Sequence, residues 1–130
     1  MDHWWTRHLI NRRTMAGLYD EEPSLDGFEL RELRLEQRGP SCFIRGIIRD
    51  FPDSPRPSWD DGADRLQIRF NLSTVEDFRA EGKAQAHTID LDIREADDGF
   101  GVVISGHHDC FDFEVAGIGL QIIGMKPYRE

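Results

Sequence analysis

Hydrophobic and polar residues alternate with a period of two through most of the chain beyond residue 27. The run RLQIRFNL (65–72) alternates without a break, and TIDLDIRE (88–95) sets isoleucine and leucine against aspartate and arginine. This alternation is typical of strands that bury one face and expose the other. Less regular alternation predicts further strands in FELRELRL (28–35), CFIRGIIRDF (42–51), FGVVIS (100–105), CFDFEVAG (110–117) and IGLQIIGM (118–125).

About seven short strands separated by turn residues favour a mainly β fold of the α+β class, an antiparallel sandwich or a strongly bent sheet. A phase slip at Arg31-Glu32 predicts a β-bulge in the first strand. The N-terminal run 4–19 instead follows the 3.6-residue period and predicts one short helix. Three prolines exclude helix and central strand from the long segment 49–64. The length of 130 residues suits a single domain, 1–130.

The charge balance narrows the class of partner. The chain carries 16 basic and 25 acidic residues, which gives a formal net charge of −9. A surface of that sign repels phosphate backbones, so we expect no nucleic-acid binding, and it attracts a basic partner. The alternative is that the charge only keeps the protein dispersed in solution.

The chain has two cysteines, Cys42 and Cys110, which are too few for a disulfide framework. We expect reduced thiols, although a single bridge is left open. The N-terminus lacks the continuous apolar stretch of a secretory signal, and no run approaches the roughly 20 apolar residues of a membrane span. These features predict a cytoplasmic protein without a membrane partner.

The stretch GHHDC (106–110) gathers side chains that can bind a transition metal or take part in catalysis: His107, His108, Asp109 and Cys110. Adjacent residues of a strand point to opposite faces, so we expect His108 to face the core and His107 to face solvent. One strand then offers at most His108 and Cys110 to an ion, whereas zinc takes three or four ligands. We predict no metal here and interpret the stretch as a strand end with a turn. A metal-dependent enzyme or metal-binding protein is the alternative.

Other catalytic signatures are missing from the sequence. It contains no GxSxG, no HExxH, no phosphate-binding glycine loop and no GxGxxG. The adjacent acids at 20–22, 60–61 and 97–98 fall in turns and loops, where such residues are common for structural reasons. We therefore expect a protein that is not an enzyme and holds no cofactor.

The proline-rich loop is the most informative segment for function. Its sequence FPDSPRPSWDDG (51–62) places Trp59 and two aspartates on a stiffened chain. Prolines lower the entropy lost on binding, and an aromatic residue flanked by acids is a plausible recognition surface. The alternative is that Trp59 folds back and caps one end of the sheet.

Landmarks spread along nearly the whole chain resemble the Immunity protein 50 family, small bacterial proteins encoded beside polymorphic toxins. They are HWW near the N-terminus, LYDEEPSLDGFELRELRLEQRGP, the proline-rich loop ending in Trp59, the turn at Gly62 into DRLQIRFNLSTVEDF, and the later runs TIDLDI and DGFGVVISG. None of these landmarks is a catalytic signature. The paired histidines of GHHDC are not a landmark of the family and add nothing to the resemblance.

The resemblance implies an immunity protein that binds a cognate toxin in the cytoplasm and neutralises it by covering its active surface. If the toxin is a basic nuclease, the acidic residues would imitate the phosphates of its substrate, but the resemblance does not fix the toxin's class. We expect Trp59, Asp60 and Asp61 at the centre of the contact surface. The expected rim consists of Asp20, Glu21, Glu22, Asp97 and Asp98. Strand order and oligomeric state do not follow from the sequence.

Overall fold

A computed structural model of the chain describes residues 5–15, 17–19, 21–59, 62–83 and 88–128. Antiparallel strands make up most of this part. They are β1 (Phe28–Glu36), β2 (Ser41–Ile48), β3 (Arg65–Ser73), β4 (Asp77–Gly82), β5 (Thr88–Glu95), β6 (Val102–His108), β7 (Phe111–Gly117) and β8 (Gly119–Tyr128). Two single 3-10 turns, Trp5–His8 and Arg12–Met15, precede the strands.

The eight strands form one unclosed sheet in the order β4-β7-β6-β5-β1-β2-β3-β8. Among the described residues, two pairs, Phe28–Ile89 and Glu29–Thr88, join β1 to β5. The sheet therefore consists of two four-stranded parts, which we call the β5 half (β4, β7, β6, β5) and the β1 half (β1, β2, β3, β8). The chain crosses between the halves twice, from β3 to β4 and from β7 to β8. The predicted mainly β fold of antiparallel strands is confirmed, with eight strands in one unclosed sheet where the sequence predicted about seven in a sandwich or a strongly bent sheet.

Both halves bury large side chains in one core. Phe28 and Phe70 from the β1 half and Phe113 from the β5 half are almost completely buried in the same cluster. Two glycines make room for these rings. A Cβ at Gly46 would lie 2.3 Å from the Phe28 ring, and one at Gly106 would lie 2.5 Å from the ring of Phe113. Close packing of this kind leaves no space for an added methyl group.

The strand pattern agrees with the sequence prediction in most places. The register of β1 against β2 shifts between Leu30 and Glu32, which confirms the predicted bulge. Strand β4 is not predicted by the sequence, because its alternation is carried by charged residues and Phe78 is its one half-buried large apolar side chain. In the part of the chain that the structure describes, β4 is an edge strand that pairs with β7 alone, and it has few apolar positions that would reveal it in the sequence.

The N-terminal segment forms two short 3-10 turns in place of the single helix predicted over 4–19. The structure bends this segment along the edge of β8. Leu9 forms an isolated bridge with Leu120, and Ile10 N donates a hydrogen bond of 2.7 Å to Leu120 O. Asn11 continues the contact, since its Nδ2 donates to Ile122 O at 2.7 Å and its Oδ1 accepts from Ile122 N at 3.0 Å. Pairing with a strand requires non-helical backbone here, and tertiary contacts override the helical period.

Candidate functional site

The loop between β2 and β3 carries Trp59 as a half-buried residue. The centroids of the Trp59 and Phe51 rings are 6.4 Å apart, and the Arg56 guanidinium lies 5.3 Å from the Trp59 centroid. Trp59 N also donates a hydrogen bond of 3.0 Å to Arg56 O. The indole is therefore fixed by its own loop while part of the ring stays accessible to a partner.

Two of the predicted rim residues lie beside this loop. A surface pocket of about 590 Å³ is lined by Tyr19, Glu21, Glu22, Pro23, Arg49, Asp50, Phe51 and Asp53. Because Phe51 contacts Trp59, the pocket joins Glu21 and Glu22 to the Trp59 loop. It also brings in Asp50 and Asp53, which the sequence reasoning missed. The sequence shows that Asp50 and Asp53 lie in the same proline-rich segment as Trp59. It does not show that this segment folds against residues 21–22, because that contact joins parts of the chain that are distant in sequence.

Glu22 lines this pocket and also holds the N-terminal segment in place through hydrogen bonds. Its Oε2 accepts a hydrogen bond of 3.0 Å from Trp5 N, and its Oε1 accepts bonds of 2.9 and 2.8 Å from Thr6 N and Thr6 Oγ1. The carboxylate thus satisfies backbone donors at the start of the first 3-10 turn. Trp5 Nε1 donates to Pro23 O at 2.9 Å, so the same region anchors a buried tryptophan.

A second pocket of about 330 Å³ adjoins the first, since Glu22 and Pro23 line both. Glu95 of β5 lines this second pocket. We call Glu21, Glu22, Asp50, Asp53 and Glu95 the acidic band. Cations interrupt it in part, because Arg7 and Arg94 also line the second pocket. Burial, assisted by the charge of Arg7, lowers the pKa of His8 in this pocket, which favours its neutral form.

The remaining predicted rim residues, Asp97 and Asp98, lie in the turn between β5 and β6. Asp98 Oδ1 accepts hydrogen bonds from Phe100 N at 2.9 Å and Gly101 N at 3.4 Å, which explains its place in the turn. A Cβ at Gly99 would lie 3.7 Å from Glu95 Oε2, so the turn adjoins the acidic band. The predicted residues Asp20, Asp60 and Asp61 lie outside the described residues.

The paired histidines both lie on the surface. His107 Nδ1 is 3.2 Å from Asp112 Oδ1, and His108 Nδ1 accepts a hydrogen bond of 3.1 Å from Cys110 N. The prediction that His108 faces the core is wrong, because β6 runs past the end of the core and its last two residues are exposed. In the described part of the chain, no three His, Cys, Asp or Glu side chains are grouped as metal ligands.

The solvent-facing sides of the two halves carry opposite charge. On the β5 half, carboxylates outnumber cations, and the residues are Asp77, Arg79, Glu81, Asp90, Asp92, Arg94, Asp112 and Glu114. On the β1 half, cations outnumber carboxylates, and the residues are Glu29, Glu32, Arg34, Glu36, Arg45, Arg65, Arg69 and Lys126. Strand pairing sets this separation, since it places residues distant in sequence side by side.

Two further groups are shifted by burial. The Cys42 thiol is buried in the core, which raises its pKa to about 11, whereas Cys110 is exposed; both thiols are free. Burial also raises the pKa of Tyr19, and the charges of Asp50 and Asp53 raise it further. Tyr19 donates a hydrogen bond of 2.6 Å to Asp50 O, so it holds the proline-rich loop as a neutral phenol.

No curated protein and no solved structure gives a significant match to the chain. No helix among the described residues is long and apolar enough to cross a membrane. The family model described as Immunity protein 50 matches residues 11–128, nearly the whole chain. The chain therefore belongs to the Immunity protein 50 family.

Proposed function

We propose that this protein neutralises a cognate bacterial toxin by binding it in the cytoplasm, without catalysing a reaction itself. The observation that carries the proposal is the family match over residues 11–128. The scaffold suits such a role, because a bent sheet with a buried core holds its surface residues in fixed positions. A rigid surface loses little conformational entropy when it binds.

The proposed contact surface begins at the Trp59 loop and extends along the acidic band. Trp59 offers a partly exposed aromatic ring held in place by Phe51 and Arg56. Asp60 and Asp61 follow it in sequence and complete the centre of the surface. The proposed rim consists of Asp20, Glu21, Glu22, Asp97 and Asp98. We extend it to Asp50, Asp53 and Glu95, because they line the same pockets as Glu21 and Glu22. An aromatic anchor surrounded by charged residues is a common arrangement at protein interfaces.

The charge of this surface supports a basic partner, such as a toxin that acts on nucleic acid. The net charge of −9 and the acidic side of the β5 half would attract a cationic surface from a distance. Electrostatic steering of this kind raises association rates by roughly ten- to a thousandfold at low salt. We therefore expect the association rate to fall as the ionic strength increases.

We expect a neighbouring gene to encode the toxin, and co-expression with that toxin tests the proposal. The protein should restore growth of cells that make the toxin, and the two proteins should elute together from a sizing column. An unrelated toxin serves as the control and should stay lethal. A cognate toxin that stays lethal and forms no complex would end the proposal.

A triple variant tests the centre of the surface. Replacing Trp59, Asp60 and Asp61 with alanine should weaken toxin binding while the melting temperature changes little. The variant Phe43→Ala is a matched control, because Phe43 is also half-buried and also contacts an arginine, Arg34, at 4.7 Å. If the triple variant instead melts several degrees lower, Trp59 acts as a cap of the sheet and the contact surface lies elsewhere.

A further inference from the structure

Four large hydrophobic side chains in the described part of the chain are strongly exposed, and three of them lie at one end of the sheet. Phe100 is 83% exposed, Ile10 is 67% exposed and Ile118 is 46% exposed. The fourth, Ile123, is 48% exposed and lies further along β8. Exposed apolar residues that occur singly are ordinary, whereas a contiguous group marks an interaction surface.

The three residues lie on neighbouring segments of backbone. Phe100 directly precedes Gly101, where a Cβ would lie 2.7 Å from Gly117 O. Ile118 directly follows Gly117 in the connection from β7 to β8. A Cβ at the next residue, Gly119, would lie 3.0 Å from Ile10 Cδ1. We call Phe100, Ile118 and Ile10 the apolar strip.

Hydrogen bonds fix the backbone of each residue in the strip. Phe100 N donates to Asp98 Oδ1 at 2.9 Å, and the same turn is closed by a bond of 2.9 Å from Ala96 N to the carbonyl of Gly101. Ile118 N donates to the carbonyl of Ser73 at 2.9 Å, and Ile10 N donates to the edge of β8 at 2.7 Å. The side chains are therefore exposed on a rigid backbone, so a partner that covers them loses little entropy in ordering them.

Carboxylates border the strip. Asp97 and Asp98 share the turn with Phe100, and Glu76 N donates a hydrogen bond of 2.8 Å to Ala116 O, just before Gly117 and Ile118. Asp77 pairs with Ala116 and begins the acidic side of the β5 half. The strip thus combines an apolar centre with an acidic border, which complements an apolar groove rimmed by lysine and arginine.

We propose that the apolar strip is a second anchor for the toxin, besides Trp59, and that the toxin presents an apolar groove with a basic rim to it. This inference rests on the proposed function and extends the contact surface from the acidic band across the β5–β6 turn. Buried aromatic anchors at the centre of an interface carry a large share of the binding energy. Phe100, as the most exposed of the four residues, is the principal anchor of the strip.

The test compares a double variant of the strip with a variant of Ile123, an isoleucine outside the strip that is nearly as exposed as Ile118. The double variant Phe100→Ser, Ile118→Ser should bind the neighbouring gene's toxin at least about thirtyfold more weakly than the wild type. The matched control Ile123→Ser should stay within about threefold of the wild type, because surface changes away from an interface have small effects. Replacing Phe100 with tyrosine, which keeps the aromatic ring, should also stay within about threefold.

The binding of the wild type and of the double variant shows whether the toxin contacts the apolar strip. If the wild type binds the toxin and the double variant binds equally well, the strip is not the anchor, although the proposed function stands. If the wild type does not bind the toxin, the proposed function and the role of the apolar strip are both wrong. If the wild type instead forms dimers on a sizing column that the double variant does not form, a second copy of the chain covers the strip. Melting curves that coincide for all variants show that the folds are intact.

Discussion

Replacing Glu22 with alanine tests how the N-terminal segment is held to the sheet. The change removes three hydrogen bonds of 2.8–3.0 Å to the first 3-10 turn, two from backbone N–H groups and one from Thr6 Oγ1. Hydrogen bonds to a charged group contribute roughly 1.5–3 kcal/mol of net stability, and these three share one partly exposed carboxylate. We therefore expect the free energy of unfolding to fall by about 2 kcal/mol. For a chain of this length, that lowers the melting temperature by roughly 8 °C.

Thermal and urea unfolding, followed by circular dichroism, measure the effect, and the neighbouring Glu21 supplies the control. Glu21 is exposed and lines the same 590 Å³ pocket, so Glu21→Ala should change stability by less than about 0.5 kcal/mol. The two variants remove the same charge from adjacent positions, so long-range electrostatics cannot separate them. Equal melting temperatures for both variants would refute the assigned role of Glu22. Because Glu22→Ala should lower stability, weaker toxin binding by this variant counts as loss of a contact only where the variant is fully folded.

Three further changes test the core, the β8 edge and the buried thiol. A Cβ at Gly46 would lie 2.3 Å from the Phe28 ring, so Gly46→Ala should cost about 3 kcal/mol in unfolding experiments. A Cβ at Gly124 meets only the flexible Arg69 side chain at 3.3 Å, so Gly124→Ala should be tolerated. Asn11→Ala removes two hydrogen bonds to the β8 edge and should cost about 1–3 kcal/mol by urea unfolding; no loss would show that this edge is not held as described. Burial raises the pKa of Cys42 to about 11, so the thiol ionises at a lower pH in the unfolded chain than in the folded one, and the free energy of unfolding should fall as the pH rises above about 9. Cys42→Ala should lessen that fall between about pH 8 and pH 10. If the free energy of unfolding falls equally with pH in the wild type and the variant, burial does not raise the pKa of Cys42.

The sequence predicted the strands well where burial is one-sided. In β3 and β5 the apolar residues recur at every second position, because each strand packs one face on the core. The bulge near Arg31 was visible for the same reason, as a break in the alternation. Strand β4 and the N-terminal turns were not predicted, since their conformation depends on pairing with β7 and β8 rather than on their own side chains.

The candidate surface was predicted only in part, because it depends on contacts between distant segments. Acidic residues in loops can be read from the sequence, but the pocket that joins Glu21 to Asp53 exists only in the folded chain. The separation of charge between the two halves of the sheet likewise follows from strand order. The sequence does not indicate that Phe100 is exposed, because it begins the run FGVVIS, which is typical of a strand. In the structure, Phe100 lies in the turn before β6 and is exposed.

The most direct test of the central claim is a titration of the purified protein with the purified toxin encoded by the neighbouring gene, with toxin activity measured in the same samples. Membership of the Immunity protein 50 family and the acidic surface predict a tight complex in which activity falls to zero at a fixed stoichiometry. Its association rate should decrease as salt is added. Full toxin activity in the presence of excess protein, with no complex detected at low salt, would show that the protein does not neutralise this toxin.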